Sequence, residues 1–174
     1  MKLTNLEAKN LLHCVSKDET KPYLNCIFFN ATGKRLEATN GHVLTWTPFE
    51  LDGDFHREIT WLFKPDSSFR CKAGESIVLT GLDLEGTKQI IFVVFDRYHV
   101  KVKTLIYPIL DLEFPQVNSI IEQGSESNFN VTLNLDLLPK GIYNFKFNSK
   151  NPITPVLAVQ SATKQKFIIM PMRA

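Results

Sequence analysis

Residues 23–49, YLNCIFFNATGKRLEATNGHVLTWTPF, hold three apolar runs separated by two turns. YLNCIFFN is followed by the turn ATGK, then by RLEAT. Asn40-Gly41 is the strongest short-range hairpin signal a sequence offers, because glycine accepts a positive φ at no steric cost. VLTWTPF then reads as the return strand. Upstream, KLT reads as a short strand, and Thr4-Asn5-Leu6-Glu7 fits a capping box in which Glu7 reaches back to the helix start. Ala8, Leu11, Leu12 and Val15 recur at helical spacing and form one face. Lys21-Pro22 ends any helix, since the residue before proline is pushed out of the α region. Residues 1–50 therefore read β-α-β-β-β.

The same order recurs with little identity. REITWLFK is a strand, and PDSSFRCKA opens on a proline at a helix N-terminus and yields a short helix at best. SIVLTGLDL, QIIFVVF and HVKVKTLI follow as strands, so a second unit spans about 57–107. A third begins at NFNVTLN; LDLLPKG is a vestigial helical turn, and IYNFKFN, VLAVQSA and KFIIMPM complete it. The class is α+β, with helices on one face of antiparallel sheets. A unit with one sheet face and one helix cannot bury both alone, so the copies should pack side by side. Residues 107–127, YPILDLEFPQVNSIIEQGSES, read as an extended linker crossing the surface. The domains expected are 1–121, with its two half-units and the start of the linker, and a half domain at 128–174.

The 174 residues are 44% hydrophobic and 22% charged, enough to bury a core and too few charges for wholesale disorder. The formal net charge of +2 is small for a general polyanion binder, so any nucleic-acid contact needs a local basic stripe. There is no signal-peptide pattern and no apolar run approaching the roughly 18 residues of a membrane span. Three widely spaced cysteines, Cys14, Cys26 and Cys71, favour reduced thiols in a cytoplasmic compartment. In that setting the sequons at Asn30 and Asn130 carry no meaning.

Catalytic patterns are scarce. No phosphate-cradling glycine loop, G-x-S-x-G or H-E-x-x-H occurs. His13, His42, His56 and His99 are scattered without ligand spacing, and Asp52 and Asp54 sit in a polar loop. No enzyme, metal or cofactor is expected. The cations are more suggestive. Lys9, His13 and Lys17 fall at i, i+4, i+8; Lys64, Arg70 and Lys72 flank the second helical segment; Lys140 closes the third. A solvated face and phosphate contact both fit these stripes. His42, beside the Asn-Gly turn, reads by itself as a bystander.

KPYLNCIFF, ATNGHVL, FPQV and FIIMPMR, in that order, resemble the bacterial sliding clamp, the beta subunit of DNA polymerase III. In that family a Y-L-N-G stretch precedes A-T-D-G-H-R-L, a phenylalanine-proline linker follows, and the chain ends in an apolar pair plus M-P-M-R. Here Cys26 replaces a glycine, Asn40 an aspartate and Val43 an arginine. Residues 1–121 match a whole middle domain, and 128–174 match the second half of the last domain. The resemblance implies the DNA-clamp fold, with three β-α-β-β-β half-domains per chain instead of six. It implies a processivity factor without catalysis, one that encircles double-stranded DNA non-specifically and tethers a polymerase and a clamp loader through short peptides. The implied peptide site uses Leu24, Thr39, Gly41, His42, Val43 and Leu44, then Pro115 and Ile120. Ile168, Ile169, Met170, Pro171, Met172 and Arg173 complete it. Methionine and branched aliphatics suit an adaptable apolar slot. Twelve half-domains in a ring, at three per chain, imply a homotetramer in the cytoplasm of a bacterial or phage-infected cell. The alternative is a clamp mimic or adaptor that binds the same peptides without encircling DNA.

Overall fold

A computed structural model describes residues 2–48, 60–83, 88–115, 117, 135–146 and 155–170. Asp52, Asp54, His56, Ile120, Pro171, Met172, Arg173 and the expected strand NFNVTLN lie outside the described residues. In chain order the elements are β1 (Lys2–Thr4), α1 (Asn5–Cys14), a 3-10 turn (Pro22–Asn25), β2 (Ile27–Asn30), β3 (Arg35–Thr39) and β4 (Val43–Pro48). Then come β5 (Thr60–Phe63), β6 (Ser76–Asp83), β7 (Gln89–Phe95) and β8 (Lys101–Pro108). A second 3-10 turn (Leu135–Leu137), β9 (Tyr143–Lys146), β10 (Val156–Gln160) and β11 (Lys166–Ile169) follow.

The described strands form two antiparallel sheets, ordered β1-β6-β7-β8 and β5-β2-β3-β4-β11-β10-β9. The first two units exchange their leading strands. β1 pairs with β6, placing Leu3 opposite Ile77, and β5 pairs with β2, placing Trp61 opposite Phe29. The third unit joins the first where β4 meets β11.

Helix α1 starts as its sequence dictates. The Thr4 backbone N–H donates to Glu7 Oε2 at 2.8 Å, and the Glu7 N–H donates to Thr4 Oγ1 at 3.3 Å. Its buried side holds Ala8, Leu11 and Cys14 against the sheets, with Leu12 and Val15 packed at the margin. The same helix supports the third unit. Asn10 Nδ2 donates to Oε1 of both Gln160 and Gln165 at 2.8 Å, and His13 Nε2 lies 3.0 Å from the Leu137 carbonyl. Phe63 of the seven-stranded sheet, Phe92 and Tyr107 of the four-stranded sheet and Phe69 from the segment between β5 and β6 form an aromatic cluster with ring centroids 5.3–6.3 Å apart.

Two sequence expectations are corrected here. No helix forms at PDSSFRCKA; Asp66 Oδ1 instead accepts from the Ser68 N–H at 2.8 Å, a local turn that competes with helix formation. Burial of Phe69 then fixes the segment. Lys17 lies beyond α1, which stops at Cys14 as the Ser16 N–H turns to the Leu24 carbonyl at 2.8 Å.

The Tyr107 hydroxyl donates to Asp66 Oδ1 at 3.1 Å and lies 3.2 Å from Ser68 Oγ. Burial, with the Asp66 charge beside it, pushes this phenol up to about 12. The folded state thus holds the phenolic proton more tightly than the unfolded chain, whose tyrosines titrate near pH 10. This contribution to stability is fully present below about pH 10 and is lost as pH rises toward 12. Urea midpoints of the wild type and Tyr107→Phe should therefore diverge less at pH 11 than at pH 9. An unchanged difference would remove Tyr107 from the alkaline transition.

Candidate functional site

The β3–β4 hairpin builds one side of an apolar cleft. Gly41 takes φ +89°, which other residues adopt only with strain. Asn40 Oδ1 accepts from the His42 and Val43 N–H groups, both at 3.0 Å, so this side chain closes the turn. Thr39 Oγ1 donates to the Val43 carbonyl at 2.9 Å and accepts from the Gly41 N–H at 3.1 Å. Thr39 is thereby a structural part of the turn.

β11 lies against this hairpin, with Ile168 opposite Leu44 and Ile169 opposite Val43. The ladder continues one step further, where the Met170 N–H donates to the His42 carbonyl at 3.2 Å. Alternation along paired strands then divides the side chains. Val43 and Ile169 join the main core, while Leu44 and Ile168 form a smaller cluster with Trp46 and Val117 on the other face.

The linker covers part of that outer face. Phe114 stacks on Phe28 with centroids 4.7 Å apart and planes 16° apart. This contact carries Pro115 and Val117 over the β4–β11 seam. Leu24 closes the cleft from the first 3-10 turn.

The result is a cavity of about 220 Å³. That is below the ~300–1,000 Å³ of pockets that take whole drug-sized ligands, so it suits one or two side chains of a longer partner. Leu24, Thr39, Gly41, His42, Val43, Leu44, Pro115, Ile168 and Met170 all border it, as does Val117. Ile169 does not line it, because it stands one residue out of phase and is fully buried in the core. Val117 was not among the expected residues, although its place in FPQV, two positions after Pro115, was the available signal. Met170 is 45% exposed, an unbranched side chain at the rim able to adjust to a guest.

A second concavity, about 830 Å³, opens between α1 and the third unit. Lys9 and His13 from the helix and Lys140 from the third unit line it, with Asp136 and Leu135. Cations far apart in sequence thus share one groove. Lys64, Arg70 and Lys72 lie exposed between β5 and β6, away from this groove, and Lys17 is also exposed outside it. Among the described residues no group of histidine, cysteine and carboxylate side chains could hold a metal, and no helix is long and apolar enough to cross a membrane. Cys14, Cys26 and Cys71 are unpaired and buried, and burial pushes each thiol upward, away from the reactive thiolate.

No protein-family model and no curated protein matches the chain. Solved structures do. The whole chain aligns with a DNA polymerase sliding clamp from Bacillus subtilis at TM-score 0.58 and 15% identity, covering 64% of that chain. It aligns equally with a DNA polymerase III beta sliding clamp from Pseudomonas aeruginosa, solved bound to griselimycin, at TM-score 0.58, 12% identity and 65% of that chain. The beta subunit from DNA polymerase of Streptococcus pyogenes gives TM-score 0.58, 12% identity and 66% coverage. The chain has the sliding-clamp fold, and it spans about 65% of the length of these clamps.

Proposed function

We propose that this protein is a DNA sliding clamp, a non-enzymatic processivity factor that grips short peptides of a polymerase and a clamp loader at the β4–β11 cleft. The observation that carries this reading is the cleft itself. Three distant segments, the ATNGH turn, the Phe114-Pro115 linker and the last strand, converge on one apolar cavity. A slot of this size and chemistry suits leucine or phenylalanine side chains of a peptide. The cationic groove beside α1 supports weak, sequence-independent contact with phosphates, which a ring that slides requires.

In this reading residues 1–121 form one whole clamp domain and 128–174 a half domain. Three units per chain complete a twelve-unit ring as a homotetramer around duplex DNA, in the cytoplasm. Because neighbouring units alternate in orientation and each chain carries an odd number, the ring has dihedral symmetry.

Retention on circular DNA tests this directly. The wild type should elute as a tetramer and remain on a nicked plasmid after loading, then run off once the plasmid is linearised. Lys9→Glu with Lys140→Glu should shorten retention about tenfold or more, because each neutralised phosphate contact adds to the salt-dependent affinity. Peptide binding should be unchanged in the double variant. A monomer in light scattering would overturn the ring and leave the mimic, which needs only the cleft.

A further inference from the structure

We propose that β8 is a self-pairing edge: two copies of this chain join their four-stranded sheets through antiparallel β8 strands related by a two-fold axis at Thr104. The pairing stands on sheet order and edge chemistry, and it rests on the clamp reading above only for its role in closing a ring.

The internal repeat supplies the occupant. In each unit the last strand is β4, β8 or β11. β4 and β11 pair antiparallel with each other, last strand to last strand. β8 holds the equivalent place in the second unit, and among the described residues no strand lies on its far side. Burial follows the same division. β4 is buried from Val43 to Thr47, whereas β8 leaves Val102 50% and Ile106 53% exposed on its outer face. An open edge with apolar side chains is a template for another chain. By the chain's own pattern, that chain is another last strand, and only a second copy provides one.

Chemistry then selects the register. Residues opposite each other in an antiparallel ladder project to the same face, so the two-fold axis must pass through a residue. An axis at Lys103 sets two ammonium groups directly opposite, which is repulsive. An axis at Val102 centres the ladder on the irregularity in the β7–β8 pairing, where Val94 meets Lys103 and Phe95 meets Lys101. Axes at Leu105 or Ile106 draw Pro108, which lacks an N–H, into the ladder. An axis at Thr104 avoids all three. It sets Val102 opposite Ile106 twice, covering four exposed apolar side chains, and sets Lys103 opposite Leu105. Lys103 Nζ is already held by the Ser68 carbonyl at 2.8 Å on the inner face.

Single cysteines in the full-length chain with a short thiol-reactive crosslinker test the register. Thr104→Cys should give a covalent dimer. Val102→Cys alone and Ile106→Cys alone should not, since each lies about 14 Å from its own copy at ~3.4 Å per residue. A mixture of those two variants should crosslink. The wild type controls for the three buried native thiols. Ile106→Glu should halve the mass seen by light scattering with an unchanged circular dichroism spectrum. A Thr104→Cys protein that stays uncrosslinked, a Val102→Cys protein that dimerises alone, or an unchanged mass for Ile106→Glu overturns the proposal. The ring reading fails separately: a Thr104→Cys dimer with no tetramer and no DNA retention leaves this pairing intact and removes the ring. Retention on DNA without the Thr104 crosslink does the reverse.

Discussion

Met170→Glu is expected to weaken binding of a clamp-type peptide, one carrying a glutamine and a spaced Leu-Phe pair, by 100-fold or more. The wild type should bind at micromolar strength, roughly −7 to −9 kcal/mol, and a 100-fold loss corresponds to about 2.7 kcal/mol. Met170 is half exposed at the rim, so the variant should fold. When a guest side chain enters, the new carboxylate loses water without gaining a partner, and an unpaired charge in an apolar slot costs several kcal/mol. Met170→Leu keeps an apolar wall and should stay within a few-fold of wild type. Calorimetry that finds Met170→Glu within threefold of wild type would move the peptide site away from this cleft. Unchanged melting of the variant separates a lost site from a lost fold.

The second large effect concerns stability. Phe63→Ala should cost about 3–5 kcal/mol, the range for deleting a buried phenylalanine and leaving a cavity. Phe63 is fully buried, with its ring 5.3–5.6 Å from those of Phe69, Phe92 and Tyr107. Those neighbours come from three separate segments, so none can collapse into the space without breaking another contact. For a chain of this size the melting temperature should fall by about 6–20 °C. Phe63 sits on β5, the strand that crosses into the first unit's sheet, so the loss should uncouple the two units together. A shift below 1 kcal/mol would mean that this cluster does not hold the exchanged strands in place.

Much of this protein could be read locally. Thr4 and Glu7 specify the start of α1, because both halves of a capping box lie within one turn. Asn40-Gly41 specifies the β3–β4 hairpin, because a positive φ is a property of one residue. The order of ATNGH, FPQV and FIIM led to the cleft residues by resemblance, and the expected Leu24, Pro115 and Ile168 meet there. Local pattern failed where a short segment had competing partners. In PDSSFRCKA the Asp66 carboxylate satisfies the backbone without a helix, and proline at the front could not reveal that.

Other features exist only in three dimensions. The exchange of β1 and β5 between the first two units joins residues thirty or more positions apart, and no periodicity encodes which sheet a strand enters. Whether Ile168 or Ile169 faces the cleft depends on the register of β11 against β4, since a one-residue slip turns every side chain to the other face. Lys9 and Lys140 share a groove because Gln160 and Gln165 bond to Asn10, a pairing across some 150 residues. Sequence determined the elements, whose stabilising contacts are short-range. Tertiary structure decided their partners, because an edge strand's choice is made by whichever surface buries it.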